Sequence, residues 1–234
     1  MSMSEKDIKE EMELRKKLIA IARKCFEFGL IAGTWGNLSV RVADDKILIT
    51  PSGFEKTALE PEHLLLIDLD GNLLKGVLKP SIETWMHVAI YKMRNDIHAI
   101  IHTHSPYAVL FASLNEPIPA ISVDFASMIG HEVPVTKYAP PGSKELAESL
   151  VEVLRPNRVV ALIRNHGAIA IGRNLEEAFQ AALLLEQEAE LYFRLKLLGK
   201  ADDAKLPADE IDRLHSAFIK GYGQKRKKIT LRLE

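Results

Sequence analysis

The chain has 234 residues, 47% of them hydrophobic, enough to bury a substantial core and within the size of one domain. Its 31 Lys and Arg against 32 Asp and Glu leave a formal charge of −1, so no overall field favours nucleic acid or an anionic membrane as partner, and any anion must be recognised locally. No apolar run approaches the about 20 residues that span a bilayer, Met-Ser-Met-Ser-Glu-Lys at the start has no hydrophobic signal core, and Cys25 is the single thiol, so the expected compartment is the cytoplasm.

Over residues 11–29, Leu14, Leu18, Ile19, Ile21, Ala22, Cys25 and Phe26 recur at helical spacing, with Gly29 as a stop. After the break Gly33-Thr-Trp-Gly36, the segments Leu38–Val42 and Lys46–Thr50 predict a hairpin around Asp44-Asp45. Leu64–Leu69, followed by Asp70-Gly-Asn72, predicts another. Pro80-Ser81 opens a predicted helix whose apolar positions are Ile82, Trp85, Met86, Ala89, Ile90 and Met93. A strand over 97–103, a short helix from Pro106, and strands near 118–123 and 132–136 follow. A helix from Ser143 to Leu154 and strands near 158–163 and 167–171 come next. Helices over Leu175–Leu198 and Pro207–Lys220 precede a basic tail, Lys225-Arg-Lys-Lys228. No linker or repeat divides this pattern, so the expectation is a single domain over 1–234 with a mobile tail around 220–234. Hairpins mixed with helices predict an α/β layered fold.

Chemistry concentrates in few places. His102-Thr-His104 ends the apolar run Ile97–Ile101, and a strand places residues i and i+2 on one face. His166 stands in Asn165-His-Gly167, at the edge of another strand-like run, Val159–Ile163. Three neutral imidazoles converging would leave an open zinc position, which is the mark of a catalytic rather than a structural site. Glu83 lies in the first turn of the helix that Ser81 is expected to cap, where an anion is favoured, with His87 one turn on. Beside a metal it reads as a base; alone, it completes the helix electrostatics. Gly33-Thr34-Trp35-Gly36-Asn37, Thr50-Pro51-Ser52-Gly53 and the helix start at Ser81 combine hydroxyls and amides with glycine or a helix N-terminus. Such groups bind phosphate without a formal positive charge. Tyr222, between two glycines, reads either as a frayed end or as a phenol that closes over a site.

In this order and spacing, Gly33-Thr-Trp-Gly-Asn37, Thr50-Pro-Ser-Gly53, Pro80-Ser-Ile-Glu83, His102-Thr-His104, Asn165-His-Gly167 and Tyr222 resemble the class II aldolase/adducin family, and within it the zinc-dependent L-fuculose-1-phosphate aldolases. The resemblance implies a three-layer α/β/α fold with a central, largely antiparallel sheet, assembled as a C4 homotetramer. It implies Zn2+ on His102, His104 and His166, with Glu83 as acid/base and as an added ligand when substrate is absent. Asn37, Ser52, Gly53 and Ser81 would cradle the phosphate, helped by Thr34, and Tyr222 would reach the aldehyde oxygen. The implied substrate is a phosphorylated sugar, a ketose 1-phosphate cleaved into dihydroxyacetone phosphate and a short aldehyde such as lactaldehyde. Two departures stand out: Ile82 replaces the second serine of Pro-Ser-Ser-Glu, and Val123 stands where these aldolases carry tyrosine, with Asp124 as a polar substitute. The competing chemistries are a methylthioribulose-1-phosphate dehydratase, which shares the histidines and the glutamate, and a pentulose-5-phosphate 4-epimerase, which carries aspartate at the position of Glu83. An adducin-like interaction module would lack a complete metal set. A common class of zinc hydrolase would continue His-x-His-x-Asp-His, whereas Ser105-Pro106 follows here.

Overall fold

The computed structural model describes residues 5–221. Helix α1 (Glu5–Glu27) buries Leu18, Ile21, Ala22 and Cys25 along one stripe, and Gly29 ends it at φ +70°, a left-handed value that costs glycine nothing in side-chain clash. Strands β1 (Asn37–Ala43) and β2 (Lys46–Ile49) form the first predicted hairpin, and β3 (Leu65–Asp68) and β4 (Leu73–Lys75) the second. The chain continues through α2 (Thr84–Met93), β5 (Ala99–Thr103), α3 (Pro106–Leu114), β6 (Ile118–Pro119), α4 (Val123–Met128) and β7 (Glu132–Val133). It ends with α5 (Lys144–Val153), β8 (Val160–Ile163), β9 (Gly167–Gly172), α6 (Leu175–Leu197) and α7 (Ala208–Ile219).

Seven strands make one sheet in the order β4-β3-β2-β1-β5-β9-β8, every neighbouring pair antiparallel. Successive side chains of a strand point to opposite faces, and each face of this sheet carries an apolar cluster, with a polar stripe on β1. Ala168 and Ala170 of β9 pack with α1, α3 and α6, whereas Ile169 and Ile171 pack with α2 and α5. The result is the expected three-layer α/β/α arrangement. Among the described residues, no helix is long and apolar enough to cross a membrane.

Three expectations need correction. The helix expected from Pro80-Ser81 starts at Thr84, because Ser81-Ile82-Glu83 form a turn in which Thr84 N–H donates to Ser81 O at 3.1 Å. Its buried stripe is Met86, His87, Val88, Ile90 and Tyr91, while Ile82 is 68% and Trp85 42% exposed. The strand expected over 118–123 shrinks to Ile118–Pro119, since Ser122 Oγ accepts from Phe125 N–H and caps α4 instead. Of the strand expected over 132–136, only Glu132–Val133 is regular, and Val135 makes a lone parallel bridge to Leu162. Tyr222 and the basic tail lie outside the described residues.

Helix α6 also organises the layer it belongs to. Its Glu186 carboxylate accepts from the N–H groups of Tyr107 and Ala108 at the start of α3, at 2.8 and 2.9 Å. Glu188 accepts from Ile121 N–H, Ser122 N–H and Ser122 Oγ–H at 2.6–2.9 Å, fixing the approach to α4. Helix starts leave N–H groups without intrahelical partners, and these two carboxylates supply acceptors. Glu188→Ala strands the Ile121 and Ser122 donors, so it is expected to lower the free energy of unfolding by about 2–3 kcal/mol. Urea denaturation at pH 7 measures the loss.

Candidate metal centre

Strand register builds the site. Asn37, the first residue of β1, lies opposite His102 near the end of β5, and Thr103 lies opposite Ala168 near the start of β9. The ends of these three central strands therefore meet at one edge of the sheet. His104 follows β5 directly, and its N–H is tied to Leu30 O. His166 sits in the turn Arg164-Asn165-His166 between β8 and β9, which Asn165 permits by adopting φ +55°. Glu83, at the N-terminal boundary of α2, is lowered onto the same end from the layer above.

The three imidazoles form a nearly regular triangle, with ring centroids 4.7, 4.8 and 4.9 Å apart and planes inclined at 66–84°. One ligand atom from each of Glu83, His102, His104 and His166 lies within 4.8 Å of all the others. His102 Nδ1 is 2.9 Å from Ala168 O, an oxygen that only accepts, so the ring proton is on Nδ1 and the bare Nε2 lone pair points inward. His104 Nε2 lies 2.9 Å from that atom, and Glu83 Oε2 3.2 Å. His166 Nε2 is 3.2 Å from Glu83 Oε1 but aims no hydrogen bond at it, so Oε1 is buried without a donor among the described residues. Inward lone pairs and an orphaned carboxylate oxygen are the donor set a divalent cation completes.

Electrostatics agree. Burial pushes the Glu83 carboxyl pKa up, but His102 and His166, which attract the carboxylate whenever they carry a second proton, and the hydrogen bond from Asn37 Nδ2 outweigh it and hold the group well below the usual carboxylate range. Burial, followed by repulsion from His102 and His166, lowers His104 to about 3. Burial and His102 lower His166 in the same direction. These two rings are thus kept neutral, the form that ligates metal.

Three segments wall a cavity of about 210 Å³ above this cluster, and Thr34, Asn37, Ser52, Gly53 and Ser81 all line it. The Thr50–Gly53 turn is joined to the residues before α2 by a Pro51–Pro80 bridge and by Ser52 N–H donating to Lys79 O at 2.9 Å. Ser81 Oγ accepts from Glu83 N–H at 3.3 Å rather than capping the helix proper. Lys56, only 1% exposed, donates to Thr34 O at 2.8 Å and Phe54 O at 2.9 Å, tying the Gly33–Gly36 turn to the Thr50–Gly53 turn from behind. Burial lowers its pKa to about 8. Nothing in the sequence separates this lysine from a surface one. Trp35, 64% exposed, stacks on His104 with ring centroids 6.4 Å apart and shares the cavity mouth with Ile82. Val123 and Asp124 do not line this cavity; they border another, between α4, α6 and α7. A hollow of about 390 Å³ at the far end of β1 is larger, but among the described residues no comparable ligand cluster faces it.

Comparison with known proteins points the same way. Residues 16–193 match the family described as class II aldolase and adducin N-terminal domain. A 5-deoxy-D-ribulose 1-phosphate aldolase from Bacillus thuringiensis serovar kurstaki is 38% identical over 211 residues, 90% of this chain and 97% of the relative. A 5-methylthioribulose-1-phosphate/5-deoxyribulose-1-phosphate aldolase from Rhodospirillum rubrum is 40% identical over 210 residues, 90% and 92% of the two chains. A solved L-fuculose 1-phosphate aldolase superposes with a TM-score of 0.84 at 35% identity, covering 88% of this chain and 96% of its own.

Two glycines let the backbone close around the ligand cluster. A Cβ on Gly36 (φ +73°) would sit 2.7 Å from His102 O, and one on Gly167 would collide with Thr103 O and press on His102 Cε1 at 3.0 Å. Gly167→Ala is therefore expected to weaken binding of a divalent cation at this cluster by at least about tenfold. Competition with a chromophoric chelator reads the change.

Proposed function

The chain belongs to the class II aldolase and adducin family, and from that premise we propose that it is a zinc-dependent aldolase that reversibly cleaves a ketose 1-phosphate into dihydroxyacetone phosphate and a short aldehyde. As a class II aldolase it is a carbon–carbon lyase acting on a phosphorylated sugar. The observation that carries the reading is the convergence of three inward imidazoles and one buried carboxylate beneath a cavity walled by backbone amides and hydroxyls. The same reading places it in the cytoplasm as a homotetramer.

His102, His104 and His166 would hold the ion, with Glu83 completing the set before substrate enters. Bound zinc supplies Lewis-acid polarisation of the substrate's carbonyl and adjoining hydroxyl oxygens. In the condensing direction Glu83 removes the proton from C3 of dihydroxyacetone phosphate; in cleavage it returns that proton to C3 as the C3–C4 bond breaks. Asn37 Nδ2, 2.8 Å from Glu83 Oε2, keeps the carboxylate aimed. Asn37, Ser52, Gly53 and Ser81, with Thr34, orient the phosphate, and the Lys56 ammonium behind two of the loops adds a positive charge. Ile82 offers its backbone N–H in place of a hydroxyl. Tyr222 is assigned the proton on the aldehyde oxygen.

The relatives are named for 5-deoxyribulose, 5-methylthioribulose and fuculose phosphates. Each of these sugars ends in a methyl or thioether group, and the exposed Trp35 and Ile82 at the mouth suit such an apolar end. The complete ligand set weighs against a metal-free, adducin-like interaction role.

Purified protein is expected to hold about one zinc per chain and to release dihydroxyacetone phosphate from at least one of 5-deoxyribulose, 5-methylthioribulose and fuculose 1-phosphates, with activity lost on chelation and restored by zinc. Dehydration or epimerisation of these sugars without dihydroxyacetone phosphate would refute the assignment. Glu83→Gln should lower cleavage by at least about 100-fold, and Tyr222→Phe should slow it by about tenfold or more.

A further inference from the structure

Behind the metal centre, the polar face of β1 lies against one stripe of α2 and the turn before it. The strand contributes Asn37, Ser39 and Arg41; the helical side contributes Glu83, His87 and Tyr91. All six are buried. Two residues of strand advance about 6.6–6.8 Å and four of helix about 6 Å, so the two sets stay nearly in step. Asn37 Nδ2 meets Glu83 Oε2 at 2.8 Å, and Asn37 Oδ1 meets His87 Nε2. His87 Nδ1 is 2.7 Å from Ser39 Oγ, which is 3.0 Å from Tyr91 Oη. Arg41 closes the far end, donating to Tyr91 O at 2.8 Å with its guanidinium 4.8 Å above the Tyr91 ring.

Chemistry gives this chain one direction. A carboxylate only accepts, so the Asn37 amide nitrogen must face Glu83 and its oxygen must face His87. That oxygen also only accepts, so His87 carries its proton on Nε2. Its Nδ1 is then a bare lone pair, filled by the Ser39 hydroxyl, whose oxygen is left to accept from Tyr91 Oη at 3.0 Å, closer than the other acceptor of that phenol, His98 O at 3.4 Å. Burial, helped by His102 and opposed by Glu83, lowers the His87 pKa to about 3, so the ring has no second proton to confuse the order.

We propose that His87 is a positioning residue: locked as the neutral Nε2–H tautomer by Ser39 and Tyr91, it fixes the Asn37 amide so that its donors face the metal-site carboxylate and the phosphate cavity. Released from His87, the amide could turn over and set its oxygen against Glu83. The inference rests on the reading of Glu83 as a metal-site group, and its first test does not depend on catalysis.

In metal-free protein with 15N-labelled histidine, long-range 1H–15N correlation is expected to show His87 with Nε2 protonated and Nδ1 bare, unchanged from pH 5 to 9. A population of the Nδ1–H tautomer or of imidazolium at pH 7 would overturn the proposal, whatever sugar the enzyme acts on. The second test compares His87→Gln, whose amide nitrogen reaches the place of Nε2, with His87→Asn, which is too short. Zinc affinity by chelator competition is expected to fall about tenfold in His87→Asn and to stay within about threefold of the original in His87→Gln. Equal zinc affinity in a folded His87→Asn variant would also overturn it; should that variant fail to fold, the tautomer measured in the unaltered chain decides.

Discussion

A buried carboxylate without enough donors is among the most expensive features a fold can carry, and Glu83 is one. Its Oε2 receives Asn37 Nδ2 and faces His102, while its Oε1 has no hydrogen-bond donor among the described residues. Much of the surrounding structure answers that demand. The amide turned nitrogen-first donates to it, and the turn that releases Glu83 from the helix proper sets the carboxylate among inward imidazole lone pairs at 3.2 Å, so that one point is left for a positive charge. The cluster is electrostatically incomplete as protein alone, and a divalent cation is the partner that balances it.

The sheet supplies the precision. Antiparallel neighbours bring a strand start, a strand end and a turn to the same edge, so Asn37, His102 and His166 are set by hydrogen-bond register. Gly36 and Gly167 allow the adjoining backbone to approach His102 without a side chain between them. The cavity above is held differently, by cross-links between loops: a bridge at Pro51–Pro80 and the Lys56 ammonium between Thr34 O and Phe54 O. Rigid strands thus hold the histidine cluster, and tethered loops wall the cavity above it.

Much of this was legible in the residues. Histidine is sparse in the chain, so two of them at strand spacing and a third beside a second apolar run stand out, and the structure unites all three with Glu83. Apolar alternation and turn residues located the main hairpins. Local signals failed where two of them compete. Pro80-Ser81 imitates a helix start, yet the chain makes one more turn before α2, which places Glu83 at the boundary. Ile118–Val123 is apolar enough for a strand, but Pro119 lacks an N–H for the ladder and Ser122 caps a helix. Asn37-Leu-Ser-Val-Arg41 alternates as a strand with one wet face would. A polar face is the same in sequence whether it meets water or, as here, a polar stripe of α2. Lys56 is a tertiary fact with no local mark.

One consequence concerns where this architecture tolerates length variation. Glu83, His102 and His104 sit in or beside regular elements, but His166 rides on a turn whose strands pair directly up to Ile163 and Gly167. One residue more or fewer there would re-aim the third imidazole while leaving both strands and the core intact. That turn is a gauge: insertions that surface loops elsewhere absorb would, at this spot, yield a well-folded protein with an open, two-histidine ring.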